Sequence, residues 1–288
     1  MAGKRRVVAL DMDGTTLNSS HKLTPRTIST IHRVVAAGAQ VVVATGRPSL
    51  ALQPFIEQLG LPHEVPTVCF NGACAMMMSR SACPQVLFSE GLSMMMAKSV
   101  LSFCQRASWC ASYCVASGPA LAAPANPEHE RMLSRFESLE GTRQERVADL
   151  DEVLASGRLP LKIVAMVEDP EACAAEARKE LAKDLVHIIA AEMHVEFLNP
   201  AVNKGRSLAR LCSEVVRVPL DEVVAYGDNH NDIEMLCLVG DGVAMANAKD
   251  AVKSVANRVC QWDNDEEGVA KDLAELLDAG VFSLHAMV

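Results

Sequence analysis

Short apolar runs alternate with segments of helical periodicity along the first part of the chain. Residues 6–10 form an apolar run bounded by charge, and residues 40–44 and 67–70 form two further runs. Valine-containing runs of this length predict buried parallel strands. Apolar residues recur at helical spacing over residues 24–37 and 49–59, and a glycine follows each segment. Strands and helices that alternate with short connections predict a doubly wound, Rossmann-like parallel sheet.

The last part of the chain repeats this alternation of strands and helices. The same α/β pattern at both ends predicts that residues 1–90 and 200–288 together form one core domain. The pattern in this last part predicts strands at residues 222–226 and 242–245, and helices at residues 204–215, 231–238, 249–255 and 265–277.

The middle of the chain departs from the alternation and predicts an α+β domain, residues 91–199, inserted within the core domain. A segment rich in proline and alanine, residues 119–130, predicts a long loop within it. The pattern elsewhere in the insert predicts helices at residues 92–106 and 170–183, strands at residues 109–115 and 161–167, and a hairpin of residues 185–189 with 194–198.

Composition and charge exclude several classes of protein. The 288 residues include 27 lysines and arginines against 36 aspartates and glutamates, a net charge of −9. This acidic balance argues against nucleic acid as the main partner. No apolar run is long enough for a membrane helix, and no signal-peptide core follows the N-terminus. For this reason we expect the 10 cysteines to be reduced thiols in a cytoplasmic protein. They contain no C-x-x-C pair, which argues against a zinc site.

Two carboxylates follow the first predicted strand directly. Asp11 and Asp13 are two residues apart, so in an extended segment both side chains point to the same side. They lie beyond the carboxyl end of a parallel strand, where open α/β sheets bind ligands. Gly14 permits a sharp exit from this segment. Taken alone, the segment is equally compatible with an acidic turn, and its glycine is misplaced for a calcium-binding EF-hand loop.

A hydroxyl and a glycine follow the second predicted strand. Thr45 offers a hydroxyl, and Gly46 lets backbone N–H groups approach an anion ahead of the next helix. No P-loop or G-x-G-x-x-G pattern is present, which removes the usual nucleotide-binding signals. Taken alone, this segment is also compatible with a glycine turn followed by a solvated Arg47.

Two more segments carry chemistry at junctions near the end of the chain. Lys204 opens a predicted helix, where a cation is unfavourable unless an anion compensates it. Asp228 and Asp232 follow the strand at residues 222–226, and carboxylates without cysteines suit Mg²⁺ better than zinc. Because parallel strands end at one edge of a sheet, we expect these groups to meet there.

The four segments, taken in this order, resemble the four motifs of the haloacid dehalogenase superfamily. The inserted domain resembles its C2B-type cap. Residues 71–73, 243–248 and 265–270 resemble segments of its Cof-type phosphatase branch. Thr16 departs from the family, which most often has leucine there, and this position is not catalytic. The resemblance covers the whole chain and is least specific in the cap.

This resemblance implies a Mg²⁺-dependent phosphatase that hydrolyses small phosphate monoesters, such as sugar phosphates or related metabolites, through an aspartyl-phosphate. It implies that Asp11 attacks phosphorus, and that Asp13 protonates the leaving group and then activates water. The acid step needs Asp13 protonated at neutral pH, so we expect its pKa above the usual value of about 3.9. The implied site holds the metal with Asp11, Asp13, Asp228 and Asp232, the phosphoryl group with Met12, Thr45, Gly46, Lys204 and Asn231, and the rest of the substrate with Arg47 and Asn71.

Two alternatives stay open at this point. A phosphomutase would use the same aspartyl-phosphate but return the phosphoryl group to its substrate. A non-catalytic sensor of Mg²⁺ and phosphate would need no acid or base at Asp13. The sequence predicts a small phosphorylated metabolite as partner, with neither nucleic acid nor membrane, and leaves the substrate and the oligomeric state open.

Overall fold

A computed structural model describes residues 5–181, 185–191 and 193–282, and these form an eight-stranded and a six-stranded sheet. Most strands coincide with apolar runs whose side chains are fully buried. The strands are β1 (Val7–Leu10), β2 (Gln40–Ala44), β3 (Val65–Cys69), β4 (Cys74–Met78), β5 (Gln85–Ser89), β6 (Cys110–Cys114), β7 (Leu121–Ala122), β8 (Glu145–Arg146), β9 (Lys162–Met166), β10 (His187–Ala190), β11 (His194–Leu198), β12 (Val223–Gly227), β13 (Asp241–Ala244) and β14 (Arg258–Val259).

Side-chain caps define where several helices begin. The hydroxyl of Thr24 accepts a hydrogen bond from the backbone of Thr27, with Pro25 in the first helical position. None of the helices in the described parts of the chain has the length and apolar character needed to cross a membrane. The helices are α1 (Pro25–Ala36), α2 (Ser49–Leu59), α3 (Met94–Arg106), α4 (Pro127–Glu140), α5 (Leu150–Ala155), α6 (Pro170–Glu180), α7 (Lys204–Leu211), α8 (Ile233–Leu238), α9 (Asp250–Lys253) and α10 (Gly268–Asp278).

The larger sheet places β1 at its centre. Its strand order is β14-β13-β12-β1-β2-β3-β4-β5, and β1 pairs in parallel with both β12 and β2. In this register Leu10 lies opposite Tyr226 and Val43. The residues that follow β1, β2 and β12 therefore leave the sheet at the same edge. This α/β arrangement with a parallel core confirms the predicted fold class.

The smaller sheet is largely antiparallel, with the order β10-β11-β9-β6-β7-β8. The predicted hairpin is confirmed as β10 paired with β11. Alternate residues of its strands, including Tyr113, Ile163 and Phe197, join a hydrophobic cluster with apolar residues of α3, α5 and α6. Lys162 and Glu196 occupy the intervening positions, so they lie on the other face.

Contacts along the chain divide it into two compact units. One contains the chain up to Arg47, Leu52–Leu87, and the chain from Asn203 onward. The other contains Phe88–Val202 together with Pro48–Ala51. Each unit contributes its own sheet and its own buried apolar residues.

The structure corrects several element predictions. The segment at residues 119–130 is not a loop throughout, because β7 lies within it and α4 begins at Pro127. Asn126 caps α4 by accepting a hydrogen bond from the backbone of His129, and this Asn-Pro pair was a helix-start signal that the composition obscured. The predicted helix at residues 170–183 ends at Glu180, and residues 182–184 lie outside the described residues. Besides β7 and α4, five further strands and helices of the described residues were not predicted, namely β4, β5, β8, β14 and α5.

Candidate active site

Asp11 leaves the sheet through a sharp turn in which Gly14 is the residue with left-handed backbone. The backbone N–H of Asp11 still donates to Tyr226 of β12, at 3.1 Å, so the residue continues the line of β1. Gly14 then adopts φ +73°, a left-handed conformation that other residues rarely adopt. A Cβ at Gly14 would lie 2.5 Å from a carboxylate oxygen of Asp228. The glycine therefore permits both the turn and the approach of the second acidic segment.

Lys204 joins two of the carboxylates. Asn203 caps α7, and Lys204 is the first residue of the helix, with a side chain that is only 1% exposed. Its Nζ donates to Oδ1 of Asp11 at 2.6 Å and to Oδ1 of Asp232 at 2.7 Å. The predicted need of this lysine for a compensating anion is thus met by two carboxylates.

The loop after β12 fixes the other carboxylates. Oδ2 of Asp232 accepts hydrogen bonds from the backbone N–H groups of Asp228 and Asn229, at 3.0 and 3.1 Å. Oδ1 of Asp228 accepts one from the hydroxyl of Thr15, at 3.0 Å. Both oxygens of Asp232 are therefore engaged, one by Lys204 and one by its own loop.

The donor set fits a hard divalent cation. Asp11, Asp228 and Asp232 each offer a carboxylate oxygen, and these oxygens lie within 4.8 Å of one another. Carboxylate oxygens without sulfur or imidazole ligands suit Mg²⁺. Because both oxygens of Asp232 already accept hydrogen bonds, this residue is better placed to orient the loop than to donate directly to a metal.

Burial, together with the negative charge of neighbouring carboxylates, raises the pKa of two carboxyl groups in this cluster. Burial raises the pKa of Asp11 well above its usual value, and the charges of Asp232 and Asp228 add to this effect, while Lys204 opposes it. Burial and the charge of Asp232 also raise the pKa of Asp228, to about 6. One buried ammonium does not balance three clustered carboxylates, so a bound cation would relieve the repulsion.

Asp13 lies in a different electrostatic environment. Arg47 donates from Nε to Oδ2 at 2.7 Å and from Nη2 to Oδ1 at 2.5 Å. Nδ1 of His21 lies 3.0 Å from the same Oδ1. Burial alone would raise the pKa of Asp13, but the hydrogen bonds and charge of Arg47, with a smaller contribution from His21, lower it. The expected upward shift is therefore wrong for this arrangement, because the sequence did not show that Arg47 pairs with Asp13.

The segments after β2 and β3 meet through backbone and amide contacts. The backbone N–H of Asn71 donates to the carbonyl of Thr45 at 3.1 Å, and Nδ2 of Asn231 donates to Oδ1 of Asn71 at 2.8 Å. A Cβ at Gly46 would lie 2.9 Å from that same oxygen, so glycine allows this approach. Oδ1 of Asn231 is buried and accepts no hydrogen bond from the described residues.

Besides the contacts among Thr45, Asn71 and Asn231, the structure brings the predicted residues into two further groups, and both contain residues that the sequence did not reveal. Asp11, Lys204, Asp228 and Asp232 form the carboxylate cluster, while Asp13 is paired with Arg47. Met12 is buried in the turn between Asp11 and Asp13. The residues that sequence reasoning missed are Thr15, His21 and Asn247, whose Nδ2 donates to the carbonyl of Gly14 at 2.8 Å.

A parallel sheet that gathers carboxylates, a lysine and a hydroxyl beyond its carboxyl edge is the architecture of an α/β enzyme. The family model for haloacid dehalogenase-like hydrolases matches residues 8–273. The chain belongs to this family, and the predicted family membership is confirmed.

Curated relatives of this chain are phosphatases. The 5-amino-6-(5-phospho-D-ribitylamino)uracil phosphatase YitU of Bacillus subtilis is 31% identical over 280 residues, which cover 96% of this chain and 98% of that protein. The pyridoxal phosphate phosphatase YbhA of Escherichia coli is 28% identical, with 92% of this chain and 96% of that protein covered. The chain is accordingly an enzyme of the phosphoric monoester hydrolase type within this superfamily.

Solved structures share the fold. TM0651 from Thermotoga maritima matches with a TM-score of 0.79 and 23% identity, covering 94% of this chain and 97% of that one. A haloacid dehalogenase-like hydrolase from B. subtilis matches with a TM-score of 0.76 and 26% identity, covering 94% and 99%. These matches extend over both sheets of the chain.

Proposed function

We propose that this protein is a Mg²⁺-dependent phosphatase that hydrolyses small phosphate monoesters through an aspartyl-phosphate on Asp11. The observation that carries the proposal is the position of Lys204, whose Nζ bonds both Asp11 and Asp232 while Asp228 lies in the same cluster. A nucleophile, a cation and further oxygen ligands at one sheet edge are what phosphoryl transfer to a carboxylate needs.

The metal would be held by Asp11 and Asp228, with the backbone carbonyl of Asp13 as a further oxygen ligand and Asp232 supporting the loop. When bound, Mg²⁺ supplies positive charge that offsets the repulsion between a carboxylate and a phosphate. The high pKa values of Asp11 and Asp228 are consistent with carboxylates gathered for a cation.

In the first step, a carboxylate oxygen of Asp11 forms a bond to phosphorus, and the bond between phosphorus and the ester oxygen breaks. Asp13 donates a proton to the departing oxygen, which leaves as an alcohol. In the second step, Asp13 takes a proton from water as the water oxygen attacks phosphorus. The bond to Asp11 then breaks, and inorganic phosphate is released.

The ion pair between Asp13 and Arg47 must open before these two reaction steps can take place. Arg47 bonds both oxygens of Asp13 and keeps the carboxyl ionised, so Asp13 cannot be the acid while this contact persists. We infer that Arg47 moves from Asp13 to the incoming substrate, which is the substrate-contacting role that the family resemblance implies. Asp13 then gains its proton in a site with less positive charge.

The phosphoryl oxygens would be bound by groups around the cluster. The ammonium of Lys204 supplies charge, and Oγ1 of Thr45 lies where β2 ends. The backbone N–H groups of Met12 and Gly46 add donors, as does the amide of Asn231, with Asn71 beside it. Preorganised donors of this kind stabilise charge in the transition state at little reorganisation cost.

The substrate class follows from the relatives only in outline. YitU and YbhA are named for two different phosphorylated compounds, and a third relative, from Cronobacter sakazakii and 31% identical over 252 residues, is named HMP-PP phosphatase. We therefore propose a small phosphorylated metabolite, and a test panel should contain sugar phosphates and phosphorylated heterocycles alike.

The test measures inorganic phosphate released by the purified protein from this panel. We expect release with Mg²⁺, loss of release with EDTA and recovery when Mg²⁺ is restored. Asp11→Asn should lower turnover by about 10⁴-fold or more, as removal of a nucleophile does elsewhere. The exposed Asp278→Asn is the matched control and should leave turnover unchanged.

The outcomes separate the three functions. Release of inorganic phosphate without any bisphosphate activator supports a phosphatase. Transfer of the phosphoryl group back to the substrate, without net release of inorganic phosphate, would indicate a phosphomutase. Binding of Mg²⁺ and phosphate without turnover of any monoester would indicate a sensor. Recovery by Zn²⁺ alone would contradict the oxygen-ligand site.

A further inference from the structure

We propose that His21 is a positioning residue that holds the carboxylate of Asp13 for proton transfer. This inference rests on the proposed function, because it assumes that Asp13 is the acid and base. Neither the family resemblance nor the sequence pattern assigns a role to His21. The argument comes from its contact with Asp13 and from the loop that presents it.

The contact is direct and one-sided. Nδ1 of His21 lies 3.0 Å from Oδ1 of Asp13, and because an ionised carboxylate only accepts hydrogen bonds, Nδ1 is the donor. The side chain of His21 is 67% exposed, so packing does not force the imidazole into this position. Arg47 bonds both oxygens of Asp13, whereas His21 bonds Oδ1 alone. Nη2 of Arg47 also lies 3.4 Å from Nδ1 of His21, and with Nδ1 as a donor this contact between two donors adds no hydrogen bond.

The loop around His21 is built around an unfavourable backbone conformation. His21 has φ +53°, in the left-handed region that costs energy for residues other than glycine. Oδ1 of Asn18 accepts hydrogen bonds from the backbone of Ser20 at 3.1 Å and of Lys22 at 3.0 Å, and the Asn18 carbonyl accepts one from His21 at 2.8 Å. Ser19 is bonded to Asp265, which anchors the loop from outside.

This conformation does not explain why a histidine occupies the position. A turn residue in the left-handed region is ordinarily glycine or asparagine, which tolerate it at least cost. Local strain that its surroundings maintain is concentrated at functional sites. Five other residues besides glycine in the described parts of the chain share this backbone region, so the contact with Asp13, and not the conformation alone, points to a role for His21.

The one-sided contact suits the proposed mechanism. When Arg47 moves to the substrate, Asp13 loses its bonds on both oxygens from that residue. His21 still holds Oδ1, which fixes the plane of the carboxyl group and leaves Oδ2 to exchange a proton with the leaving oxygen. Without His21 the carboxyl group would rotate and present the proton in a poor geometry.

The test compares His21→Gly with His21→Asn. Both replacements tolerate the left-handed backbone, but only asparagine keeps an N–H donor at a position like that of imidazole Nδ1. Ser20→Ala is the control in the same loop, because only the backbone of Ser20 takes part in the hydrogen bonds described. Each variant is assayed for kcat/KM with glucose 6-phosphate and with p-nitrophenyl phosphate.

These two substrates separate positioning of Asp13 from general damage. An alkyl leaving group needs a proton from Asp13, whereas p-nitrophenolate leaves without one, and kcat/KM reports the steps up to its departure. We expect His21→Gly to lower kcat/KM about 10- to 100-fold for glucose 6-phosphate and less than about 3-fold for p-nitrophenyl phosphate. His21→Asn should recover most of this loss, and Ser20→Ala should match the wild type.

A second measurement shows whether a loss of activity in His21→Gly comes from a loss of stability. The thermal unfolding midpoint of His21→Gly should equal or exceed that of the wild type, because the strained residue is gone. Equal losses on both substrates, no loss on either, or failure of His21→Asn to recover activity would overturn the proposal.

Asp13→Asn is assayed beside the His21 variants. If it shows the leaving-group pattern and His21→Gly does not, only the role of His21 fails. If the wild type releases no phosphate from these two monoesters or from any member of the panel above, the proposed function fails, and the inference fails with it.

Discussion

Two buried lysines, one in each unit of the chain, are surrounded by very different amounts of negative charge. Lys162 in β9 is 5% exposed and bonds Glu196 of β11, so one ammonium balances one carboxylate, and Nε2 of His194 lies 3.3 Å from the same carboxylate oxygen. Lys204 is 1% exposed and bonds Asp11 and Asp232, with Asp228 in the same cluster. The first arrangement is balanced, whereas the second has an excess of carboxylates.

The pKa values show the consequence of this difference. Burial would raise the pKa of Glu196, but the charge of Lys162, with the hydrogen bonds from His194 and Lys162, outweighs burial and lowers the pKa to about 2. At the other cluster, burial and neighbouring carboxylates raise the pKa of Asp228 to about 6. A balanced pair favours the charged form of both partners, and once both are buried the loss of either one is costly. An unbalanced cluster costs stability and is retained where a ligand supplies the missing charge.

The largest expected effect comes from breaking the balanced pair. Glu196→Gln removes the carboxylate from Lys162, and loss of one partner of a buried ion pair costs about 3–5 kcal/mol in the free energy of unfolding. Urea unfolding measures this cost. The double variant Lys162→Met with Glu196→Leu should recover most of the stability, since it leaves no buried charge. If Glu196→Gln were as stable as the wild type, loss of this carboxylate would not leave a costly buried charge on Lys162.

Lowering the pH should weaken the same ion pair, with a somewhat smaller loss in the free energy of unfolding. The pKa of Glu196 is lower in the folded protein, about 2, than its ordinary 4.5, so the unfolded chain binds the proton first. Its contribution is present above about pH 4.5 and is lost as pH falls towards about 2. Between roughly pH 6 and pH 3 the wild type should lose about 2 kcal/mol more than Glu196→Gln. Parallel losses in both proteins would contradict the low pKa.

The smallest expected effect is a gain in stability, and it comes from a change in the unbalanced cluster. Asp11→Asn resembles the neutral form that burial favours, so without metal it should raise the free energy of unfolding by about 1 kcal/mol. Asp232→Asn is the contrasting variant and should destabilise, because Asp232 accepts hydrogen bonds from Lys204 and two backbone N–H groups. Thermal unfolding in EDTA checks both. Destabilisation by Asp11→Asn would indicate that the cluster is balanced after all.

Much of the larger sheet and the position of its site could be predicted from the sequence. Buried parallel strands are short apolar runs, and their carboxyl ends lie at one edge, so the positions of Asp11, Thr45 and Asp228 followed from the strand pattern alone. The helix start explained why Lys204 needed an anion. Strand β4, which pairs antiparallel with β3, and the edge strand β5 beside it were missed because no α-helix separates β3, β4 and β5 along the chain.

What could not be predicted depends on contacts between residues far apart in the chain. Asp13 and Arg47 are separated by 34 residues, and no local pattern shows that their side chains form two hydrogen bonds. Lys162 and Glu196 are also 34 residues apart and meet only because β9 pairs with β11. The direction of a pKa shift follows from such contacts, which explains why the expectation for Asp13 was wrong.

A crystal structure with Mg²⁺ and beryllium fluoride, a mimic of the phosphoryl group, tests the central claim most directly. The account predicts one cation bound by Asp11 and Asp228, with the mimic attached to Asp11 and within hydrogen-bonding distance of Lys204. A cation at another place, or a mimic that binds away from Asp11, would contradict it.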